Sequence, residues 1–380
     1  MLVSNKSALG IIFPNSFDAL VAQMVDLRLM ASLPFASRYR LVDFVLSSMS
    51  NSGIDNVTIL PQKNYHSLMD HLGSGREWDL VRKNGGLSIF PPSAENRSKA
   101  VAGRVDALAN VIRFLKDQKE KFVVMADSNI AVNFDFKAMV DAHIATGADV
   151  TMAYYVDTLP ESFVNSDDVN KDFCYSLDVE DGRVKDIKVN YVVDEVQNLS
   201  MNVFVVEREL LVKLVENAVV RGYQRFTRDV LLRNIEELNV QGYKYDGYVA
   251  RICSINSYFE ENMKLLKDEN VDALFGGAPI YTKIRDDNPT RYITGAKVVN
   301  TMAADGCVIE GEVENSILFR GVKVAKGAKV KNCILMQDTV VEAGADIEYL
   351  ITDKNVTVSE GKDMKGTKSY PVYVVKGYTV

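Results

Sequence analysis

The run from Gly311 to Gly361 divides into three seventeen-residue lines: GEVENSILFRGVKVAKG (311–327), AKVKNCILMQDTVVEAG (328–344) and ADIEYLITDKNVTVSEG (345–361). Laid over one another they align Val313, Val330 and Ile347; Ile317, Ile334 and Ile351; Val324, Val341 and Val358; and Gly327, Gly344 and Gly361. Each line has room for three brief strands separated by turns, with aliphatics pointing inward and small residues at the corners. The pattern predicts a parallel β-helix, whose coils stack backbone hydrogen bonds on their neighbours so that no coil is stable alone. The alternative is a β-sandwich with evenly spaced strands, but sandwiches do not place Gly and Val in phase at so short a period. A β-helix of this length has a long flat side and an open end, surfaces that commonly join subunits, so an oligomer is expected.

Toward the N-terminus the pattern changes. Ala8–Phe13 reads as a strand, Leu41–Asn51 as a helix, and Asn56–Leu60 as a strand closed by Pro61. Val101–Leu115 is helical, Phe122–Ala126 a strand, Phe136–Thr146 a helix ended by Gly147, and Asp149–Tyr155 a strand. This alternation predicts an α/β domain with a mostly parallel, Rossmann-like sheet covered by helices on both faces. Residues 210–240 read as largely helical, Gly242–Ile252 as a closing strand and Ile255–Lys267 as a helix. Residues 268–292, with Gly276-Gly277, Pro279 and Asp286-Asp287-Asn288-Pro289, lack periodicity and are read as a linker. The expected domains are therefore residues 1–267 and 293–380.

In such sheets ligands bind beyond the carboxyl ends of the strands. Asp127 stands there, directly after Phe-Val-Val-Met-Ala. It suits either a carboxylate holding a divalent ion or a simple Asp127-Ser128-Asn129 turn.

The totals exclude several classes. A 380-residue chain with 47% hydrophobic residues can bury a large core, and a net charge of −7 gives no footprint for nucleic acid. Cys174, Cys253, Cys307 and Cys333 form no C-x-x-C pair, so reduced buried thiols are expected rather than disulfides or a zinc site. No segment approaches the ~18 uninterrupted apolar residues of a membrane span, and the first residues do not read as a leader, so the cytoplasm is the expected compartment. His66, His71 and His143 form no ligand-spaced cluster; surface or cap roles are expected for the first two. Trp78, in Gly75-Arg76-Glu77-Trp78-Asp79, is expected on a mobile loop.

Ser37-Arg38-Tyr39-Arg40-Leu41-Val42-Asp43-Phe44, continuing to Asn51-Ser52-Gly53-Ile54, resembles the early motif of the glucose-1-phosphate adenylyltransferase (ADP-glucose pyrophosphorylase) family. Other segments resemble the same family in the same order: Gln62 with His66-Ser67-Leu68, Gly103-Arg104-Val105-Asp106-Ala107, Asp127, Ser200-Met201-Asn202-Val203-Phe204, Arg228-Asp229 and Asp353-Lys354-Asn355-Val356. The resemblance implies a nucleotidyltransferase-type sheet domain followed by a left-handed β-helix. It also implies a substrate-like pocket at Gln62, Gly103, Asp106, Ser200 and Asp229. The family's reaction is an in-line attack of glucose 1-phosphate on the α-phosphorus of ATP, which needs cations around the triphosphate and a carboxylate-held metal.

The chain departs from that family at four places. Pro14-Asn15-Ser16-Phe17-Asp18-Ala19-Leu20 stands where the family has a Gly-rich loop with an Arg, whose backbone N–H groups approach the phosphates. Met30 aligns with a family lysine, Arg251 with the second metal-binding carboxylate, and Asn190 with the lysine that grips the sugar phosphate. Lys188, two residues from Asn190 and on the same strand face, is the nearest substitute. Loss of one such preorganised group commonly costs roughly 100–1000-fold in rate.

The combination resembles the GlgD-type subunit, a paralogue that associates with a catalytic subunit of the same enzyme. The resemblance implies a regulatory or scaffolding role in glycogen synthesis, impaired catalysis, and Mg2+ as a cofactor only for an active chain, with Asp127 as its remaining ligand. The alternatives are an active adenylyltransferase with a rebuilt site, or a sensor that holds a sugar phosphate or nucleotide without reacting. Lys6, Arg40, Arg97 and Arg104 are the candidate anion anchors.

Overall fold

The computed structural model describes residues 7–92, 103–159, 174–193 and 195–380. Its N-terminal part is built on a nine-stranded sheet. In chain order the strands are β1 (Ala8–Phe13), β2 (Asn56–Ile59), β3 (Gly86–Ile89), β4 (Phe122–Asp127), β5 (Val150–Asp157), β6 (Tyr175–Glu180), β7 (Arg183–Val189), β8 (Gln197–Glu207) and β9 (Val240–Lys244). Their spatial order is β3-β2-β1-β4-β8-β5-β9-β7-β6. Strands β3, β2, β1 and β4 run parallel, as do β5 and β9, while β8 is antiparallel to both β4 and β5.

Strand alternation assigns side chains to two cores. Leu9, Ile11 and Phe13 of β1 and Val123 and Met125 of β4 enter one core. Ile12 of β1 and Phe122, Val124 and Ala126 of β4 enter the other. The helices are α1 (Leu41–Asn51), α2 (His66–Leu72), α3 (Arg104–Asn110), α4 (Ile112–Asp117), α5 (Phe136–Thr146), α6 (Arg208–Val220), α7 (Ile255–Lys264) and α8 (Asp268–Phe275). Helices α1, α2 and α5 cover one face, and α3, α4 and α6 the other. Local signals set their ends: α5 starts where the Asp135 carboxylate accepts the Ala138 N–H at 2.9 Å and stops at Gly147, whose φ of 60° is costly for other residues.

The structure corrects several sequence expectations. The helix expected at 101–115 breaks at Val111 into α3 and α4, its first two residues lying outside the described residues. The closing strand is two pieces, β9 and the pair Ala250–Arg251, the latter bonded to Ile130–Ala131. The segment read as a linker opens with α8, because Leu274 is fully buried and Phe275 packs on the rings of Tyr39 (5.1 Å) and Phe44 (5.9 Å). Trp78 is not on a mobile loop: it is fully buried and meets the His71 ring at 5.8 Å. His71 and His143 are core residues, bonded to Asp43 and Thr151, and only His66 is exposed.

The C-terminal part is a left-handed β-helix of three five-stranded parallel sheets. Its registers are the sequence columns: Val313 opposite Val330 opposite Ile347, Ile317 opposite Ile334 opposite Ile351, and Val324 opposite Val341 opposite Val358. Gly327, Gly344 and Gly361 turn the corners at φ of 76°, 70° and 66°. An earlier coil pairs Val298 with Val313 and Met302 with Ile317, fifteen residues apart.

One β-helix face docks on the sheet domain. Ile317, Phe319, Ile334, Met336 and Ile351 share a buried cluster with Phe17, Met24, Phe44, Tyr258 and Leu274. Beside it the Arg28 guanidinium pairs with the buried Asp353 carboxylate, which also accepts the Tyr373 hydroxyl at 2.6 Å. Burial pushes the Asp353 carboxyl up, but Arg28 and Tyr373 outweigh it and hold the group below the usual carboxylate range. All four cysteines are free and buried. No helix among the described residues is long and apolar enough to cross a membrane.

Candidate functional site

A pocket of about 310 Å³ opens beyond the carboxyl ends of β1 and β4, lined by Asn15, Ser16, Asp18, Gln62, Gly103 and Arg104 among others. The loop after β1 is tied down by its own side chains. Asn15 donates to Asp18 at 2.6 Å and accepts the Gln62 N–H at 2.8 Å, while Asp18 accepts the Met30 N–H at 2.7 Å. It then runs into a helical turn, Asp18–Met24, whose Val21 and Met24 enter the interdomain cluster. Burial pushes the Asp18 carboxyl up to about 6, against the opposing hydrogen bonds from Asn15 and Met30. A partly desolvated carboxylate thus faces the space where the resemblance places phosphates.

Asp127 ends β4 in the phase of Val123 and Met125, so its side chain points toward α3. There both oxygens are occupied. Oδ1 accepts the Ser16 hydroxyl at 2.7 Å, and Oδ2 accepts the guanidinium of Arg104, the first residue of α3. Arg104 is sandwiched between the rings of Phe13 and Phe204, 5.3 Å from each centroid. The Asp127 side chain is 1% exposed.

Arg251 supplies a second guanidinium near Asp127. Its Nε donates to the Tyr155 hydroxyl at 2.8 Å, Nη2 donates to the Ser200 carbonyl, and the group lies 5.1 Å from the Tyr155 ring centroid. A magnesium ion needs free oxygen ligands, and a guanidinium offers none. No group of three or more His, Cys, Asp and Glu suited to a metal occurs among the described residues. The residues around Asp127 do not fit Mg2+: one carboxylate is already neutralised and the second position is cationic.

Of the remaining sequence candidates, Gln62 and Gly103 line the pocket. A Cβ on Gly103 would stand 2.2 Å from the Gln224 carbonyl oxygen, so close backbone approach explains that glycine. Asp106 is partly buried in the first turn of α3. Asp229 does not reach the pocket as a ligand group; it accepts the N–H groups of Gln224 (3.1 Å) and Arg225 (2.9 Å) and holds the turn whose Arg225 lines the wall. Ser200 is buried, with its hydroxyl accepting the Asn202 N–H at 3.1 Å.

Met30 is a core residue of the interdomain cluster, with its backbone N–H bonded to Asp18 in the pocket wall. Asn190 adopts φ of 51°, and its side chain accepts the Cys174 N–H at 3.2 Å. Lys188 is committed to Asp178 at 2.9 Å. Lys6 and Arg97 lie outside the described residues.

Arg40 belongs to a second cavity, of about 390 Å³, at the seam between the domains. Its walls carry Arg38 and Arg40 before α1, Lys283 and Arg285 from the connecting segment, and Arg320 and Lys354 from the β-helix. Asp70 is the one carboxylate lining it, and His71 forms part of the floor. Burial lowers the His71 pKa, so the ring is neutral at pH 7 while hydrogen-bonded to Asp43 at 2.6 Å. Sequence reading found Arg40 but missed the cluster, since four of its six cations, Lys283, Arg285, Arg320 and Lys354, lie more than 200 positions away in the chain.

Residues 30–267 match the family Nucleotidyl transferase, and residues 284–367 match GlmU-like, C-terminal hexapeptide. The chain belongs to the nucleotidyl transferase family, among glucose-1-phosphate adenylyltransferases and GlgD proteins. It is 39% identical over 375 residues to the glycogen biosynthesis protein GlgD of Geobacillus stearothermophilus, covering 98% of this chain and 97% of the relative. It is 32% identical over 327 residues to GlgD of Bacillus subtilis, covering 86% and 83%. The glucose-1-phosphate adenylyltransferase of Geobacillus stearothermophilus is 31% identical over 306 residues, 79% of this chain and 76% of that enzyme.

Proposed function

We propose that this chain is a cytoplasmic regulatory or scaffolding subunit of ADP-glucose pyrophosphorylase in glycogen biosynthesis, and that it assembles with a catalytic subunit. The observation that carries the reading is the state of Asp127, whose oxygens are held by Ser16 and Arg104 with Arg251 close by. An in-line displacement on ATP needs a metal bridging the phosphates and donors preorganised around them. Here the carboxylate is neutralised internally, and the loop after β1 is closed by Asn15 and Asp18.

The rest of the fold is kept, which suits a subunit that assembles with a partner and responds to small molecules. The basic cleft at the seam supports the responsive role, because six cations against one lining carboxylate favour a phosphorylated small molecule. With walls drawn from both domains, the cleft lets a bound anion bear on their junction.

The test is to purify the chain and mix it with a catalytic homologue from the same organism, with and without sugar phosphates. Co-elution as one assembly, with a changed rate or changed effector response of ADP-glucose formation, is the expected outcome. Separate elution with unaltered kinetics at all ratios rejects the subunit reading.

A further inference from the structure

Carboxylates match only part of the positive charge in the cleft at the domain seam. Lys283 pairs with Asp70 at 3.3 Å and Arg285 with Asp287 at 3.0 Å, while Arg320 reaches Asp287 only at 3.9 Å. The Arg40 guanidinium donates to the neutral oxygens of Ser67. Asp353, the carboxylate next to Lys354 in sequence, is taken by Arg28 and the Tyr373 hydroxyl. The Lys354 amine therefore has no carboxylate partner among the described residues.

The groups around that amine come from every element packed on it. Arg40 faces it from the start of α1, Arg28 from the segment after the first loop, and Lys376 from the C-terminal tail. Asp70 and His71 of α2 and the pair Lys283 and Arg285 line the same cavity. Burial first, and then Arg40, Arg28 and Lys376, push the Lys354 amine down to about 7, with Asp353 pulling the other way. Arg40, lowered by burial to about 10, keeps its charge near neutral pH.

We propose that an oxyanion entering this cleft is taken up together with one proton, and that the amine of Lys354 receives it. The inference rests on the reading of the cleft as an anion site given above. The bond formed is N–H on Lys354, the proton comes from solvent, and nothing is oxidised or reduced. A bound anion relieves the like-charge crowding that favours the neutral amine, so the ammonium form prevails in the complex. Binding and protonation then assist each other by the same factor. Affinity is insensitive to this group well below pH 7 and falls about tenfold for each pH unit above it.

Sulfate is the probe, because its charge stays constant from about pH 6 to about pH 9, whereas phosphate esters titrate near 6. Titration calorimetry at about pH 8, in buffers of different ionisation heat, counts the protons taken up. The expected result is close to one proton for the unaltered chain, and none for Lys354→Arg, which keeps its affinity across the range. Lys354→Met binds more weakly and takes up no proton. Thermal melts establish that each variant is folded. Sulfate binding without proton uptake, or uptake that persists in Lys354→Arg, overturns the assignment while leaving the cleft an anion site. Absence of saturable sulfate binding at every pH overturns the anion site itself, and the proton coupling with it.

Discussion

A carboxylate at the end of a parallel strand attracts a metal ion through its unmatched charge, and Asp127 has already matched its charge to Arg104 while accepting the Ser16 hydroxyl on its other oxygen. Its position was legible from the sequence, because a polar residue after five apolar ones marks a strand end. Its partners were not, since Arg104 and Ser16 lie 23 and 111 positions away and only the fold joins them. For the same reason Arg104 read as a free anion anchor, although its charge is committed to Asp127. Arg251, Asn190 and Met30 all read as substitutions by resemblance, and the burial of Met30 in the interdomain cluster is what the sequence does not show. Asp18 carries a pH signature. Its folded pKa of about 6 lies above the 3.8 of an ordinary Asp, so the folded chain holds the proton more tightly. Stability should therefore fall as pH rises from about 4 to about 6, by up to about 3 kcal/mol. Asp18→Asn keeps an acceptor for the Met30 N–H and should flatten that slope, leaving the variant more stable than the parent at pH 8. Urea midpoints across the range check it; parallel curves for the two proteins would refute the assignment.

Among the elements, the β-helix was the most legible, because inward columns of Val and Ile and corner glycines recur at one spacing. The coil before Gly311 escaped notice since it is fifteen residues long, which puts Val298 and Met302 out of phase with the later lines. Helices α1 and α5 have the bounds their sequences suggest, whereas α8 was hidden in a stretch rich in Gly, Pro and Asp, where burial of Leu274 rather than propensity makes the helix. Trp78 misled because Gly75 and Asp79 around it signal a turn; the turn is real, but its indole fills the core. That burial makes it a reporter of the sheet domain. Ile334 belongs to the β-helix, is fully buried, and packs in the cluster shared with the sheet domain. Ile334→Ala should cost about 3 kcal/mol and move the Trp78 fluorescence transition together with the circular-dichroism transition. A shift in one signal alone would mean that the two domains unfold separately.

At the scale of the whole molecule, the two domains share one apolar seam, an ion pair across it, and a basic cleft beside it. This organisation keeps the scaffold of a nucleotidyl transferase while the pocket beyond β1 and β4 is walled by a tied-down loop and an internal ion pair. The cleft was illegible because its cations are scattered along the chain and the acidic total of −7 masks them. Pyrophosphate release from ATP and glucose 1-phosphate with Mg2+, by the isolated chain free of any catalytic homologue, tests the central claim most directly. On the proposed reading, in which Asp127 is matched by Arg104 and the phosphate donors are lost, the rate should lie at least ~10⁴-fold below that of a catalytic relative assayed alongside. A rate within about tenfold of that relative would contradict the account.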